Sequence, residues 1–157
     1  MSKIRAQAER IFDAPPATVW SALTDYAGAR AQILPENYLD YHAEPDSGAN
    51  GVTLVYRLRA GGRERGYHMR VEESRPEHVL TEHDQGSSYT TWWQVERVGS
   101  GDHTRVRLIS EWESRAKGIG GFFERCFAPL GVRRIHQETL VRLGRLMREH
   151  QPAIAGR

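Results

Sequence analysis

From residue 38 to residue 113 the chain alternates apolar and polar positions with a period of two, the mark of strands with one covered face. Six runs carry the pattern: LDYHAEPD, GVTLVYRLRA, RERGYHMRVEES, HVLTEHDQ, SYTTWWQVERV and TRVRLISEWE. The links DSGAN, GG, SRPE, QGSS and GSGD are turn chemistry, short enough for hairpins. The expected result is an antiparallel meander. Upstream, KIRAQAERIF at 3–12 adds a seventh extended run. DAPPATVWSALTD follows, where a double proline opens a helix and Val19, Trp20 and Leu23 recur at helical spacing. A second short helix is expected around 27–34, ending at Pro35. GIGG at 118–121 breaks the strand pattern and lets the chain turn into a helix. Val132, Ile135, Thr139, Leu143, Leu146 and Met147 then form the apolar stripe of that long C-terminal helix. Pro129, near its start, is expected to kink or divide it. One domain over 1–151 is expected, with 152–157 as a flexible tail.

The alternation assigns faces. Val52, Leu54, Tyr56, Leu58 and Ala60 share one face, as do Tyr67, Met69 and Val71. Tyr89, Thr91, Trp93 and Val95 form a third set, and Val106, Leu108, Ser110 and Trp112 a fourth. Strand 78–84 fits either phase, since Val79, Thr81 and His83 compete with Leu80, Glu82 and Asp84. Glu82 reads better as a surface carboxylate than as a desolvated acid. The doubled tryptophan cannot face one way. Trp93 is expected inside and Trp92 outside, covered either by Arg105 or Arg107 lying over the indole, the favoured reading, or by a protein–protein contact.

The inner face is apolar but rich in hydroxyls. A plain core prefers Leu, Ile and Val, whereas a phenol needs a hydrogen-bond partner. Either the tyrosines reach the rim of a solid core, or their hydroxyls meet water or a ligand in a cavity. The residue types favour the cavity. Its candidate wall is Tyr56, Tyr67, Met69, Tyr89, Thr91, Trp93, Leu108, Ser110 and Trp112.

Composition narrows the function classes. The chain has 157 residues, 39% hydrophobic and 27% charged, and a net charge of +2, which does not argue for nucleic acid. The arginines crowding 133–148 read as a solvated helix face. No apolar run approaches the roughly 18 residues of a membrane span. MSKIRAQAER lacks an apolar signal region, so a cytoplasmic location is the expectation. A single cysteine, Cys126, excludes an internal disulfide and reads as a structural thiol. The seven histidines form no metal-binding spacing, GIGG lacks the lysine of a phosphate loop, and no G-x-S-x-G elbow occurs. No metal, cofactor or catalytic residue is nominated.

Three stretches carry a resemblance. The first runs from Phe12 through Asp13, Ala14 and Pro15 to Val19 and Trp20. The second is the hairpin YTTWWQVERVGSGDHTRVRLISEWE, and the third is APL at Ala128, Pro129 and Leu130. Together they resemble the START-like, helix-grip (SRPBCC) superfamily and its polyketide cyclase/dehydrase-like proteins. The resemblance implies an α+β fold, with a seven-stranded antiparallel sheet wrapped around a long C-terminal helix and two short helices after the first strand. It also implies an apolar cavity between sheet and helix. RAQILPENYLDY departs from the aromatic often found after the second helix, so that part of the entrance is not carried over. Three functions fit: binding of a small hydrophobic ligand of lipid, polyketide or quinone type, aromatase/cyclase-like catalysis in the same cavity, or protein interaction around a vestigial cavity.

Overall fold

The computed structural model describes residues 2–45, 51–60, 62–114 and 119–149, of which residues 2 and 119–128 by backbone alone. In chain order the elements are β1 (Ser2–Phe12), α1 (Pro16–Thr24), α2 (Ala29–Gln32), β2 (Tyr38–Pro45), β3 (Val52–Ala60), β4 (Arg63–Arg75), β5 (Val79–Asp84), β6 (Thr90–Val98), β7 (His103–Ser114) and α3 (Ile119–Glu149). The strands form one antiparallel sheet in the order β1-β7-β6-β5-β4-β3-β2. Consecutive strands from β2 to β7 are neighbours, as short turn-rich links require. The long β1 closes on β7, with Ser2 opposite Ser114 and Phe12 opposite Thr104.

The helix α3 runs past Pro129 without being divided there. A proline removes one backbone donor, but the apolar stripe beyond it holds the helix to the sheet. Val132, Ile135, Thr139, Leu143 and Leu146 are buried at three- and four-residue intervals, with His136, Leu140 and Met147 beside them. The arginines at 133, 134, 145 and 148 face outward, as expected. Small residues bring helix and strand together. Ala6 and Ala8 are buried on β1, and a β-carbon at Gly144 would lie 3.2 Å from a ring carbon of Phe12. Cys126 and the segment 150–157 fall outside the described side chains.

The structure settles the phase of β5. Leu80, Glu82 and Asp84 are buried, while Val79 and Thr81 are half-buried and His83 is exposed. Glu82 is therefore not a surface carboxylate. It is 3% exposed, because an arginine from another element meets it inside.

Trp92 and Trp93 do take opposite faces: Trp93 is buried and Trp92 half-buried. The expected arginine cover is not there. Arg105 bonds Glu96 at 2.9 Å and Arg107 bonds Glu9 at 2.9 Å. Instead Trp92 stands directly opposite Ile109, which is buried although its parity is outward. Directly opposed side chains lie about 5 Å apart at Cβ. The outer indole thus belongs to an apolar cross-strand pair. Ile109 interrupts the charged alternation of its strand, and that was the signal for it.

Candidate functional site

The inner face carries a row of rings across the sheet. Centroids step from Tyr38 to Tyr56 at 5.0 Å, to Tyr67 at 5.8 Å, to Tyr89 at 4.7 Å and to Trp112 at 5.8 Å. Tyr56 and Tyr67 are register partners on β3 and β4. Tyr67 and Tyr89 meet because β5 ends at Asp84, leaving the turn beyond it open to both. Asp84 shapes that turn by accepting the His68 N–H at 2.9 Å and the Ser87 hydroxyl at 2.6 Å.

Tyr38 and Tyr41 join the row from β2, although period two would separate them. The register of β2 shifts between Leu39 and His42, and Asp40 sits there at φ 54°. Aspartate tolerates this left-handed conformation better than most residues. The bulge re-aims the chain, so the Tyr41 ring also lies 6.4 Å from Tyr56.

The phenols differ in their partners. Tyr41 donates to the Tyr26 carbonyl at 2.8 Å, and Tyr89 donates to Ser110 Oγ at 3.1 Å. Among the described residues the hydroxyls of Tyr38, Tyr56 and Tyr67 have no protein partner. Burial pushes Tyr41 up to about 12, and Tyr38, Tyr56 and Tyr67 are also raised by burial. All therefore remain neutral, each able to donate and accept.

Beside the row, where β5 meets α2, lies a buried ion pair. Arg30 Nη2 contacts Glu82 Oε2, with the two side chains 3% and 4% exposed. Arg30 Nη1 donates to the Leu23 carbonyl at 3.0 Å. Its guanidinium carbon stands 4.2 Å from the centre of the Trp93 ring and 5.9 Å from that of Tyr26. A tight turn delivers it. The Asp25 carbonyl accepts the N–H groups of Gly28 and Arg30 at 3.2 and 2.9 Å, and its carboxylate accepts the Ala29 N–H at 2.9 Å. Gly28 presses against that carboxylate so closely that a β-carbon there would collide with it. Burial disfavours the charge on Arg30, but the carboxylate of Glu82 outweighs it and holds the guanidinium above its ordinary pKa.

A second polar cluster joins sheet to helix. Ser110 Oγ meets Thr91 Oγ1 at 2.7 Å and His136 Nε2 at 2.8 Å, besides Tyr89. Burial pushes His136 down to about 3, so its imidazole is neutral. Its Nδ1 is buried without a partner among the described residues.

Of the nine wall residues named from sequence, Tyr56, Tyr67, Met69, Tyr89, Thr91, Trp93, Leu108 and Ser110 are buried on the inner face. Trp112 is half-buried at the end of the ring row. A separate groove of about 600 Å³ lies between β1 and α3, lined by Ala6, Ala8, Glu9, Pro129, Leu130 and Arg133 among others, and none of the nine lines it. Arg30, Glu82 and His136 were missed as site residues. An arginine as the one charged residue of AGARAQIL and a histidine on the apolar stripe of α3 were the available signals.

An antiparallel sheet gripping one long helix, with two short helices after the first strand, is the helix-grip fold of START-like proteins. The chain belongs to the family described as polyketide cyclase / dehydrase and lipid transport, which it matches over residues 3–148. Among solved structures it is similar to the KanY protein, with 32% identity over 92% of this chain and 97% of that one and a TM-score of 0.77. It is similar in fold to the Zhui aromatase/cyclase from Streptomyces sp. R1128, at 16% identity, 98% and 99% coverage and a TM-score of 0.74. It is likewise similar to a START superfamily protein from Mycobacterium smegmatis, at 13% identity, 91% and 93% coverage and a TM-score of 0.61. No curated protein matches the sequence. Among the described residues, no helix is long and apolar enough to cross a membrane.

Proposed function

We propose that the protein binds a small, mainly hydrophobic molecule with polar groups, of lipid, polyketide or quinone type, between the inner face of the sheet and α3. One observation carries this reading: the rings of Tyr56 and Tyr67 are buried, while among the described residues their hydroxyls have no protein partner and are not sealed from water. A hydroxyl that stands open among apolar side chains bonds water when the site is empty and a polar group of a ligand when it is filled. The ring row supplies wall area, and the hydroxyls supply orientation. Family membership supports a ligand-handling role.

Native mass spectrometry of the purified chain should reveal a co-purified small molecule. Titration with an anilinonaphthalene sulfonate should change emission from Trp93 and Trp112. No bound mass, together with no saturable response to this probe, would refute the reading.

A second reading, aromatase/cyclase-like catalysis in the same place, draws on the chain from Tyr89 through Ser110 to neutral His136. With its imidazole neutral, such a chain would hold a flexible substrate in one folded pose by hydrogen bonding. Cyclisation of a linear poly-β-ketone by the wild type but not by His136→Gln would favour it over simple binding.

A further inference from the structure

The two edges of the sheet are built differently. β2, at one end, carries the bulge at Asp40 and finishes on Pro45. Bulges and prolines on an edge strand discourage further pairing. β1, at the other end, has neither. It pairs with β7 in unbroken register from Ser2 to Phe12, and it contains no glycine or proline. Among the described strands, none pairs with its far side. The groove between β1 and α3 is lined by residues 5–9 of the strand. Successive strand residues point to opposite faces, so a space that touches five in a row runs along the edge. Among the described residues, the exposed large hydrophobic side chains are Ile11 and Leu130. Ile11 stands on this strand, and Leu130 stands on the α3 wall of the groove.

We propose that β1 is the interface for a second copy of this chain, the two β1 strands pairing antiparallel about a two-fold axis at Gln7 so that the two sheets join. The strand is complementary to itself in that arrangement. Pairing Ser2–Phe12 over its whole length puts Gln7 opposite Gln7, Arg5 opposite Glu9 and Lys3 opposite Ile11 of the second copy. Each copy already flanks the two charges with the opposite sign. Arg5 stands 3.6 Å from Glu111, and Glu9 accepts from Arg107 at 2.9 Å. The side chains of Arg5 and Glu9 are about half exposed, so each has room for a second partner. The joined sheet thus carries a row of alternating sign, Glu111 and Arg5 from one copy, then Glu9 and Arg107 from the other, and symmetry repeats it. A slip of two residues shortens the overlap and breaks both Arg5–Glu9 pairs. On the inner face Ala6 meets Ala8, side chains small enough to leave the space that Leu130 borders. The aliphatic stem of Lys3 lies against Ile11. Main-chain hydrogen bonds along the edge hold the two copies, and the ion pairs set the register more than the strength.

Sedimentation equilibrium of the intact chain tests this. From about 5 to about 500 µM it should show a reversible exchange of monomer and dimer, as mass action requires. Arg5→Glu sets like charges opposite each other twice in the dimer and should weaken association at least about five-fold. Glu9→Arg should do the same. Combining Arg5→Glu with Glu9→Arg restores opposite charges across the interface while it breaks the pairs to Glu111 and Arg107 within each copy. The double variant should therefore associate within about three-fold of wild type. A wild-type chain that stays monomeric throughout overturns the proposal and leaves the edge to a strand of another protein. A dimer that both single variants leave intact lies on another surface and overturns it equally. A double variant no tighter than the singles overturns the register.

Discussion

Removing the carboxylate of Glu82 should be among the most damaging single changes in the sheet. Glu82→Leu deletes the counter-ion of a guanidinium whose side chain is 3% exposed. What remains around Arg30 is the Leu23 carbonyl and the faces of Trp93 and Tyr26. Neither rings nor one carbonyl offset a buried positive charge. The expected loss is about 3–5 kcal/mol, the range for breaking one side of a buried pair. Total stabilities of about 5–15 kcal/mol make that a large share. Replacing both partners should behave differently. Arg30→Met with Glu82→Leu removes both charges and their desolvation, so the double variant should lie within about 2 kcal/mol of wild type. The cycle would then report a coupling of at least about 2 kcal/mol. Urea unfolding followed by far-ultraviolet circular dichroism measures all four proteins without relying on Trp93 emission. A loss below about 1 kcal/mol for Glu82→Leu would show that water reaches the pair and would refute the reasoning.

Other outcomes follow from burial and bonding. Leu143 is fully buried on α3, so Leu143→Ala should cost about 2–5 kcal/mol by the same measurement, and a negligible loss would put the wrong face of the helix inward. Tyr56→Phe removes a hydroxyl that has no protein partner among the described residues and should leave the urea midpoint nearly unchanged. Tyr89→Phe removes a donor to Ser110 and should cost about 1 kcal/mol, and equal effects of the two would refute the distinction. Burial holds the His136 pKa at about 3, below the roughly 6.5 of an unfolded histidine. The unfolded chain therefore takes the extra proton first as pH falls. The stability tied to neutral His136 is whole above about pH 6.5 and declines towards pH 3, by up to about 1.4 kcal/mol per pH unit. His136→Gln should flatten the fall in urea midpoint between about pH 6.5 and 4.5 relative to wild type, and parallel curves would refute the assignment.

The sequence by itself determined the elements and most of the faces. Period two from 38 to 113 needs only that each strand have one covered side, and the turn residues mark where each strand stops. The stripe on α3 and the inward parity of Tyr56, Tyr67, Trp93 and Leu108 are likewise local properties, written within a few residues of each other. The tertiary structure decided what local patterns do not encode. The phase of β5 was ambiguous because its buried set includes two acids, and an acid is buried only when something distant satisfies it. Glu82 and Arg30 are 52 residues apart, and Ser110 and His136 are 26 apart. Arg30, Tyr38 and Tyr41 fall in RAQILPENYLDY, where the family resemblance gave no guidance, and the bulge at Asp40 broke the only period that could have placed both tyrosines. A hydrophobic side chain is drawn inside by its own chemistry, whereas a charged or hydrogen-bonding one is held inside only by a partner that folding brings to it.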